Sequence, residues 1–594
     1  MGKTPSPPDK KPFPWHVSSL SVRLHWPLLS VLTGIVSGLG AILFEETLKL
    51  ALKYFIKLPT GYAEPVKGDL ASSLSGIVAT HWLLLIIPAL GGLASGLLVY
   101  LIAPEAEGHG TDAMIEAFHE RGGYIRKRVP FVKIMASAIT IGSGGSAGKE
   151  GPIAQIGSGF GSFLASILKL KPRDRRILVL AGAAGGIGAI FNAPLGAALF
   201  APEVLYRETE FEYEAILPCV VSSIVAYSIF SQYYGRRSLF SAGPVDFVLP
   251  ELLPYALFGV VCALVGYFYV KFFYGLRDYF FHRLTLSKIL RPALGGLMLG
   301  LIIFLFPQVM DGGYGWVQMA LEGKIFWGTM LILALLKVVG TSCTISSGGS
   351  GGVFGPSVFI GAMLGGAFGF GGHHLAPGWI IHPNSYVVVG IGGFFAGVAK
   401  VPVASIIMAC EMCASYTLLV PLMLVSAISF ILLGKTSLYE KQVISRLMSP
   451  AHLGRFARGL LEEVRVSEAV SPHPVTTVPE NMGFVDLVKT VTGSQQIYFP
   501  VLNAKGELTG IISINDIRGV MFEEHISQLI VAKDVATSNV VRVLWDDSLK
   551  EALDKMALIQ VDELPVVRPE APETIVTMIS KRDIISYYYT RSEG

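Results

Sequence analysis

Two glycine-rich stretches carry the residues with the clearest chemical potential in this chain. Ser143-Gly-Gly-Ser-Ala-Gly-Lys-Glu-Gly-Pro152 and Ser347-Gly-Gly-Ser-Gly-Gly-Val-Phe-Gly-Pro356 share seven of ten residues and are 204 residues apart. Glycines let backbone amides approach a ligand closely, and a helix that begins at such a loop points its partly positive N-terminus at it. Only the first copy holds charged residues, Lys149 and Glu150. The pair predicts a duplicated anion-binding loop with one carboxylate inside it.

A second set of landmarks repeats with similar spacing. Asn192-Ala-Pro-Leu leads to Glu203, and Lys400-Val-Pro-Val leads to Glu411, with the prolines and the glutamates each 208 residues apart. The order of the landmarks predicts an internal duplication over roughly residues 80–235 and 290–435. Internal repeats in a membrane protein place the binding site between the two copies.

The composition is that of a membrane protein with many spans. Hydrophobic residues make up 52% of the chain and charged residues only 15%, so we expect a transmembrane domain over residues 21–440 after a cytoplasmic tail, residues 1–20. Several apolar runs are shorter than the ~20 residues that a full span needs. Because glycine and proline interrupt them, we expect broken helices whose ends line a cavity within the membrane.

Other classes of function find little support in the sequence. A net charge of +3 does not indicate nucleic-acid binding. The five cysteines lie in apolar segments without companions at metal-binding spacing, so we expect no metal site, and Cys410-x-x-Cys413 is interpreted as helix packing rather than a redox pair. Neither glycine-rich copy contains the Lys-Ser/Thr pair of a phosphate-binding enzyme.

Near residue 445 the sequence changes to alternating, charged segments with short Val- and Ile-rich runs. Gly510-Ile-Ile-Ser-Ile-Asn-Asp-Ile517 is echoed 67 residues later by Thr577-Met-Ile-Ser-Lys-Arg-Asp-Ile584. Each copy predicts a strand, a turn and a helix. We therefore expect a linker over 441–463 and then a cytoplasmic α/β domain of two units, 464–525 and 526–594.

This tail resembles a tandem pair of CBS domains. In such pairs a Ser/Thr-x-x-Asp sequence at a strand-to-helix turn holds the ribose of an adenosine, and Ser513 with Asp516 and Ser580 with Asp583 match it. The resemblance implies an adenine nucleotide (ATP, ADP or AMP) as a ligand. One alternative is a helix N-cap with no ligand, since Ser and Asp satisfy the free amides at a helix start. Another is a pair that serves only as a dimerising or stabilising scaffold.

The membrane part resembles the CLC family of chloride channels and chloride/proton antiporters. The resemblance rests on Gly148-Lys-Glu-Gly-Pro152, Gly352-Val-Phe-Gly-Pro356, Asn192-Ala-Pro-Leu195 and Ser437-Leu-Tyr439, which occur in the family's order. It implies an α-helical polytopic fold of two inverted-topology repeats, a homodimer with one pore per subunit, and chloride and similar anions as substrates. It also implies a plasma or bacterial inner membrane with both chain ends cytoplasmic, no required cofactor, and a transporter rather than an enzyme.

The resemblance assigns a role to each matching residue. Glu150 becomes the gating glutamate, whose carboxylate competes with anions, and an acid inside the membrane is a functional candidate by default. Tyr439 would donate its hydroxyl to the central anion, and the backbone amides of Val353 and Phe354 would donate as well. The predicted chloride site is completed by His109, Lys149 and Gly151.

The first departure from the family pattern is His109. Where the family usually shows Gly-Ser-Gly-Ile-Pro, this chain has Gly108-His-Gly-Thr-Asp112, so an imidazole replaces the serine that contacts the central anion. Imidazole changes charge near neutral pH. We expect conduction, anion preference or gating to depend on pH through His109. The alternative is a side chain turned away from the anion and hydrogen-bonded within its loop.

The second departure is Val204. Exchangers of the family generally carry a proton-transfer glutamate at this position, one residue beyond Glu203. Valine cannot relay a proton, so the sequence predicts a passive chloride channel gated by Glu150, with a proton-coupled antiporter as the alternative. A fluoride exporter is disfavoured because Tyr439 is retained. A membrane receptor that transports nothing is disfavoured because it would not need the duplicated anion motif.

Overall fold

We describe the protein from a computed structural model over residues 19–65, 82–236, 238–243, 246–446, 448–452, 461–470, 473–494, 496–520, 529–559 and 561–592. Nearly all of the predicted N-terminal tail, residues 1–18, lies outside this range. The chain divides into two compact units, Met1–Ala451 and His452–Gly594. This boundary falls within the predicted linker, 441–463.

The first unit is built from α-helices, most of them apolar. In chain order they are α1 Ser19–Leu52, α2 Leu58–Thr60, α3 Leu83–Ile102, α4 Thr111–His119, α5 Val129–Gly142, α6 Glu150–Ile167, α7 Pro172–Phe191, α8 Pro194–Glu203, α9 Tyr213–Tyr234, α10 Leu252–Gly275, α11 Arg291–Leu305, α12 Tyr314–Leu321, α13 Trp327–Ser346, α14 Phe354–Leu375, α15 Pro383–Ala399, α16 Pro402–Cys413 and α17 Leu419–Leu432.

By length and composition, six helical stretches among the described residues can cross a membrane: Trp26–Thr60, Leu83–Ile102, Tyr213–Tyr234, Leu249–Phe281, Trp327–Ser346 and Phe354–Leu375. Of the shorter apolar helices, α5 and α11 lie between these stretches, and α15, α16 and α17 follow the last of them. These lengths agree with the expectation of helices that end within the membrane. The helical membrane fold predicted from composition is confirmed.

The helices from α3 to α9 are repeated in order by those from α11 to α17. The duplication reaches further toward the N-terminus than the sequence pattern indicates, since the long helices α1 and α10 each continue into a π-helical segment, Lys53–Lys57 and Leu276–Phe281. The two repeats also share an equivalent pair of close helix crossings. A side chain at Gly157 would come within 2.1 Å of the Gly182 carbonyl, and one at Gly361 within 2.1 Å of the Gly390 carbonyl. Glycine thus allows α6 to pack on α7, and α14 on α15, at backbone distance.

The short helices α8 and α16 cap each other. The Glu203 carboxylate, at the end of α8, accepts hydrogen bonds from the amides of Val403 and Ala404 at 3.0 and 2.7 Å, at the start of α16. The Glu411 carboxylate, in α16, accepts those of Leu195 and Gly196 at 3.2 and 2.8 Å, at the start of α8. Each glutamate satisfies free N–H groups where the partly positive helix end favours an anion. The paired glutamates found in the sequence are therefore structural.

The second unit contains two three-stranded sheets with the same topology. Their strands are β1 Val478–Pro479, β2 Tyr498–Leu502 and β3 Leu508–Ser513, then β4 Val543–Leu544, β5 Glu563–Arg568 and β6 Ala571–Ser580. In each sheet the first pair is parallel and the second antiparallel. The helices are α18 Val466–Ala469, α19 Phe484–Thr492, α20 Ile514–Val520, α21 Ala532–Val535, α22 Leu549–Ile559 and α23 Lys581–Ser592. The predicted strand–turn–helix repeats are confirmed.

The two repeats of the tail exchange their leading segments. Val464, Val466 and Val470 belong to the core of the second sheet. Ala532 belongs to the core of the first. The amide of Val466 donates to the carbonyl of Asp547 at 2.9 Å, which anchors the early segment on the later repeat. The division at 525/526 stays a prediction, and the packing adds that the short leading segment of each repeat joins the core of the other.

We predict that Glu203→Gln lowers the free energy of unfolding by about 1–3 kcal/mol, because at least one buried amide of α16 loses its acceptor. Glu411→Gln should behave similarly at α8. The measurement is the thermal unfolding midpoint of the purified protein in detergent, with Glu120→Gln as the control, since Glu120 is an exposed glutamate. Equal midpoints for Glu203→Gln and Glu120→Gln would contradict the capping role.

Candidate anion site

The two glycine-rich motifs meet at a backbone bridge. Gly148 and Gly352 form an antiparallel pair, with the Gly148 amide donating to the Gly352 carbonyl at 2.7 Å and the Gly352 amide donating back at 2.6 Å. These residues hold equivalent places in the two copies, 204 residues apart. The bridge therefore lies where the two repeats face each other, and α6 and α14 begin just beyond it.

The Glu150 side chain occupies the space between these two helix starts. It is 3% exposed, and its Oε2 accepts the amide of Gly355 at 3.1 Å. The carboxylate lies over Gly148, where a side chain would come within 1.9 Å of Glu150 Oε2. Its other oxygen, Oε1, is buried and has no hydrogen-bond partner among the described residues. The first turn of α14 thus holds a carboxylate where a helix N-terminus favours an anion.

A small closed cavity lies beside the carboxylate. Its volume is about 10 Å³, roughly the minimum for one water molecule. Besides Glu150 it is lined by Thr111, Gly151, Ile187, Phe191, Phe200, Phe354, Met408 and Tyr439. We call it the small cavity. Its few polar groups suit a single small anion held weakly in an otherwise apolar space.

Thr111 is a residue of this cavity that the sequence analysis missed. It is the first residue of α4, it is buried, and its hydroxyl contacts the hydroxyl of Tyr439. Gly110, which precedes it, has φ of +82°, and a side chain there would come within 2.6 Å of the Gly151 carbonyl. The sequence signal was available, because a polar residue that follows Gly108-His-Gly110 stands at the start of a third helix near the site.

The predicted site residues separate into two groups. Gly151, Phe354 and Tyr439 line the small cavity with Glu150. Val353 is buried at the start of α14, next to Phe354. Lys149 and His109 are directed elsewhere.

The Lys149 ammonium is used by Glu45. It lies 3.1 and 2.9 Å from the two carboxylate oxygens of Glu45 on α1, and both side chains are 15% exposed. Lys149 is therefore not the anion ligand expected from the sequence, because the partly buried Glu45 carboxylate already neutralises its charge. The net charge that Lys149 presents to a chloride at Glu150 is correspondingly small.

Two fully buried lysines, also missed in the sequence, stiffen the loops around the site. Lys133 donates to the carbonyls of Ala106 and Gly108 at 3.0 and 2.7 Å. Lys337, 204 residues later, donates to the carbonyls of Val309 and Met310 at 2.9 and 3.2 Å and also to that of Asp311. Their spacing equals that of the glycine motifs, which is the signal that would have identified them.

His109 faces a larger cavity of about 530 Å³ rather than the small one. Its Nε2 lies 3.2 Å from Asp112 Oδ2, and its ring centroid is 5.5 Å from that of Tyr439. Asp112 in turn accepts the amides of Glu440 and Lys441 at 3.2 and 3.1 Å. The imidazole therefore packs behind Tyr439, with a side-chain carboxylate as partner rather than the loop backbone.

Val204 is fully buried, and its carbonyl accepts the side-chain amide of Gln442 at 2.9 Å. Its neighbour Glu203 is committed to the start of α16 by two hydrogen bonds. Val204 occupies the position at which a proton-transfer acid would be expected in an exchanger. The structure offers no acid at that point, and the adjacent one is engaged in capping.

In the tail, the two Ser-x-x-Asp turns have identical geometry. Asp516 Oδ2 accepts the amide and the hydroxyl of Ser513, both at 2.7 Å. Asp583 Oδ2 accepts those of Ser580 at 2.9 and 2.6 Å. These contacts are those of helix N-caps.

Glu563 lies beside the second of these turns, since it pairs with Ser580 across β5 and β6. Burial, together with the carboxylates of Asp583 and Asp562, raises the pKa of the Glu563 carboxyl above its ordinary value. Several carboxylates therefore lie close together here and would repel phosphate groups. A nucleotide at this turn would place its ribose, rather than its phosphates, against Asp583.

Comparison with known proteins gives the same picture along most of the chain. A family model described as voltage gated chloride channel matches residues 91–434, and a CBS domain model matches residues 466–523. A putative chloride channel protein ClcB-like from Ralstonia nicotianae is 34% identical over 368 residues, 60% of this chain and 84% of that protein. The H(+)/Cl(-) exchange transporter ClcA of Cronobacter sakazakii is 30% identical over 409 residues, 67% of this chain and 84% of that protein.

Solved structures share the fold. A slow cyanobacterial Cl-/H+ antiporter aligns with a TM-score of 0.62 at 22% identity, covering 74% of this chain and 98% of that one. A eukaryotic CLC transporter aligns with a TM-score of 0.58 at 19% identity, covering 95% of this chain and 99% of that one. At these identities the likeness shows the architecture.

We predict that Lys149→Met destabilises the protein strongly, by about 3–5 kcal/mol, because it leaves the Glu45 carboxylate partly buried without its partner. The double variant Glu45→Gln, Lys149→Met should recover most of this loss. Thermal unfolding in detergent measures both effects.

The matched control is Lys49→Met on α1, the helix that carries Glu45, since Lys49 pairs with Glu46 at an exposed position; an exposed pair contributes about 0–1 kcal/mol. If Lys149→Met melts like Lys49→Met, the Lys149–Glu45 pair does not have the role given to it here.

Proposed function

Because the chain belongs to the voltage-gated chloride channel (CLC) family, whose model covers residues 91–434, we propose that it is a membrane transporter that exchanges chloride for protons. The group that performs the exchange is Glu150. The family models cover the membrane domain and a CBS domain at residues 466–523. To these the proposal adds chain ends on the cytoplasmic side and a homodimer as the assembly.

The observation that carries the proposal is the position of the Glu150 carboxylate. Oε2 takes the amide of Gly355 at the start of α14, and the small cavity lies next to it. A chloride at this helix start would need the same donor. The carboxylate and the anion therefore exclude each other, so the anion advances only when the side chain leaves.

Protonation supplies the reason to leave. A neutral carboxyl group interacts less with a helix N-terminus than a carboxylate does, because the charge–dipole attraction is lost. Removal of the proton restores the attraction and expels the anion. The Glu150 side chain therefore either carries a proton or occupies the amide donors that the anion has left. This alternation couples chloride movement in one direction to proton movement in the other.

The relatives support exchange over the passive channel that Val204 suggested. The Cronobacter relative is named an exchange transporter. Passive chloride flow remains the second candidate, since Val204 offers no proton acceptor and the Ralstonia relative is named a putative chloride channel. A fluoride exporter has less support, because Tyr439 lies at the small cavity.

For the tail, we propose an adenine nucleotide as ligand, bound through the equivalent turns at Asp516 and Asp583. The support is their matching geometry in both repeats. Capping without a ligand is the alternative, because the same hydrogen bonds are those of a helix N-cap.

We predict that the reconstituted protein has a reversal potential that shifts with a proton gradient at fixed chloride gradient. The measurement is current or potential in liposomes containing the purified protein. Glu150→Gln should carry chloride without this shift, because the glutamine amide cannot take up and release the proton. A wild-type reversal potential that stays at the chloride Nernst value would reject exchange and establish the channel.

We predict that the full-length protein binds ATP, ADP or AMP in calorimetry, and that Asp583→Asn weakens this binding by roughly 10-fold or more, as expected when a buried polar group of the site loses its partner. Asp534→Asn is the control, since Asp534 Oδ2 accepts the amide of Val531 in a turn without the serine. No heat with any of the three nucleotides would leave the turns as helix caps.

A further inference from the structure

We propose that His109, oriented by Asp112, is the proton carrier that connects the large cavity to Glu150. The inference rests on the proposed exchange and names the residue that supplies its protons. It arises from the placement of one imidazole between the two cavities of the site.

The two nitrogens of His109 have different surroundings. Nε2 lies 3.2 Å from Asp112 Oδ2, whose side chain is 21% exposed at the large cavity. Nδ1 is buried and has no hydrogen-bond partner among the described residues, in a side chain that is 9% exposed. The two nitrogens flank Cε1 and point in diverging directions, so Nε2 faces Asp112 at the large cavity while Nδ1 is buried in the protein. A ring arranged in this way can take a proton on one side and release one on the other.

The interior side leads toward Glu150. The His109 ring packs on the ring of Tyr439, and Tyr439 lines the small cavity together with Thr111 and Glu150. The His109 carbonyl packs so closely on α6 that a side chain at Gly151 would come within 1.8 Å of it. The backbone of His109 thus packs directly against the residue that follows Glu150.

The proton balance is simple. Neutral His109 with its proton on Nδ1 accepts a second proton at Nε2, from water of the large cavity, and becomes an imidazolium. The Nδ1 proton then passes to the Glu150 carboxylate through water that reaches past the Tyr439 ring into the small cavity. This step leaves an imidazole protonated on Nε2 and a neutral carboxyl group. A transfer of the ring proton from Nε2 to Nδ1 through water resets the imidazole, and the reverse sequence returns the proton.

Asp112 is a positioning residue in this scheme. Besides its contact with Nε2, it accepts the amides of Glu440 and Lys441 and so holds the segment that carries Tyr439. The same carboxylate therefore fixes both the imidazole and the aromatic ring between it and the small cavity.

Other charged groups face the large cavity, and most are already paired. Glu105 pairs with Arg126, Glu116 with Arg121, and Arg277 with Glu440. Glu107 and Lys441 also line it, and Tyr439 faces the ring from the other side. His282, a second histidine at this cavity, has a 54% exposed side chain beside Asp278. His109 is distinguished by its burial and its contact with Tyr439.

The test measures chloride efflux and chloride-driven proton uptake in the same liposomes with the full-length protein. We expect His109→Gln to lower the proton flux relative to chloride roughly 100-fold or more, the size of a lost general acid–base group. Asp112→Asn, which keeps the imidazole, should lower it less. His282→Gln is the matched control and should keep the wild-type ratio.

A measurable chloride flux in each variant shows that it folded. Should His109→Gln carry no chloride, the ratio in Asp112→Asn decides, and a wild-type ratio there overturns the inference. An unchanged ratio in His109→Gln, with a wild type that moves protons, overturns the His109 route while exchange stands. A wild type that moves no protons removes the proposed exchange itself.

Discussion

The structure depends on one buried carboxylate held at the start of a helix. Glu150 Oε2 accepts the Gly355 amide, and the surroundings keep this arrangement possible. Gly148 leaves room for the side chain, and the Gly148–Gly352 bridge fixes the two helix starts relative to each other. A buried acid is costly unless its environment has a use for it. In the proposed exchanger, the Glu150 carboxylate occupies the place that a transported anion needs. The buried acid therefore controls the passage of the anion.

Full charges are kept off the anion. The Lys149 ammonium is neutralised by Glu45, and the ammonium groups of Lys133 and Lys337 donate hydrogen bonds to loop carbonyls. In the proposed exchanger, the attraction for an anion then comes from backbone amides, helix ends and the hydroxyls of Thr111 and Tyr439. Weak binding of this kind would allow release of the ion, which transport requires. The rigid loops and mutual helix caps hold these weak donors in place.

Much of the fold could be predicted from the sequence, because the spacing of its repeated motifs and the lengths of its apolar runs reflect the fold. The 204-residue repeat of the glycine motifs placed Gly148 opposite Gly352, and apolar run lengths gave the broken helices. Side-chain direction could not be predicted. Lys149 follows the loop that the motif predicts, but its partner Glu45 lies 104 residues earlier. His109 was placed on the anion by analogy, whereas its ring turns to Asp112. The exchanged segments of the tail depend on sheet-edge packing, which strand patterns do not reveal. Val204 favours a passive channel, whereas one of the similar proteins is named an exchange transporter.

The central claim, that the Glu150 carboxylate and chloride compete for one site, is tested most directly by chloride-binding calorimetry as a function of pH. The account predicts that wild-type affinity for chloride rises as the pH falls and the carboxylate is protonated. Glu150→Ala should bind chloride more tightly than wild type at neutral pH, with a much weaker pH dependence. Equal chloride affinity for wild type and Glu150→Ala across the pH range would show that the carboxylate does not occupy the anion's place.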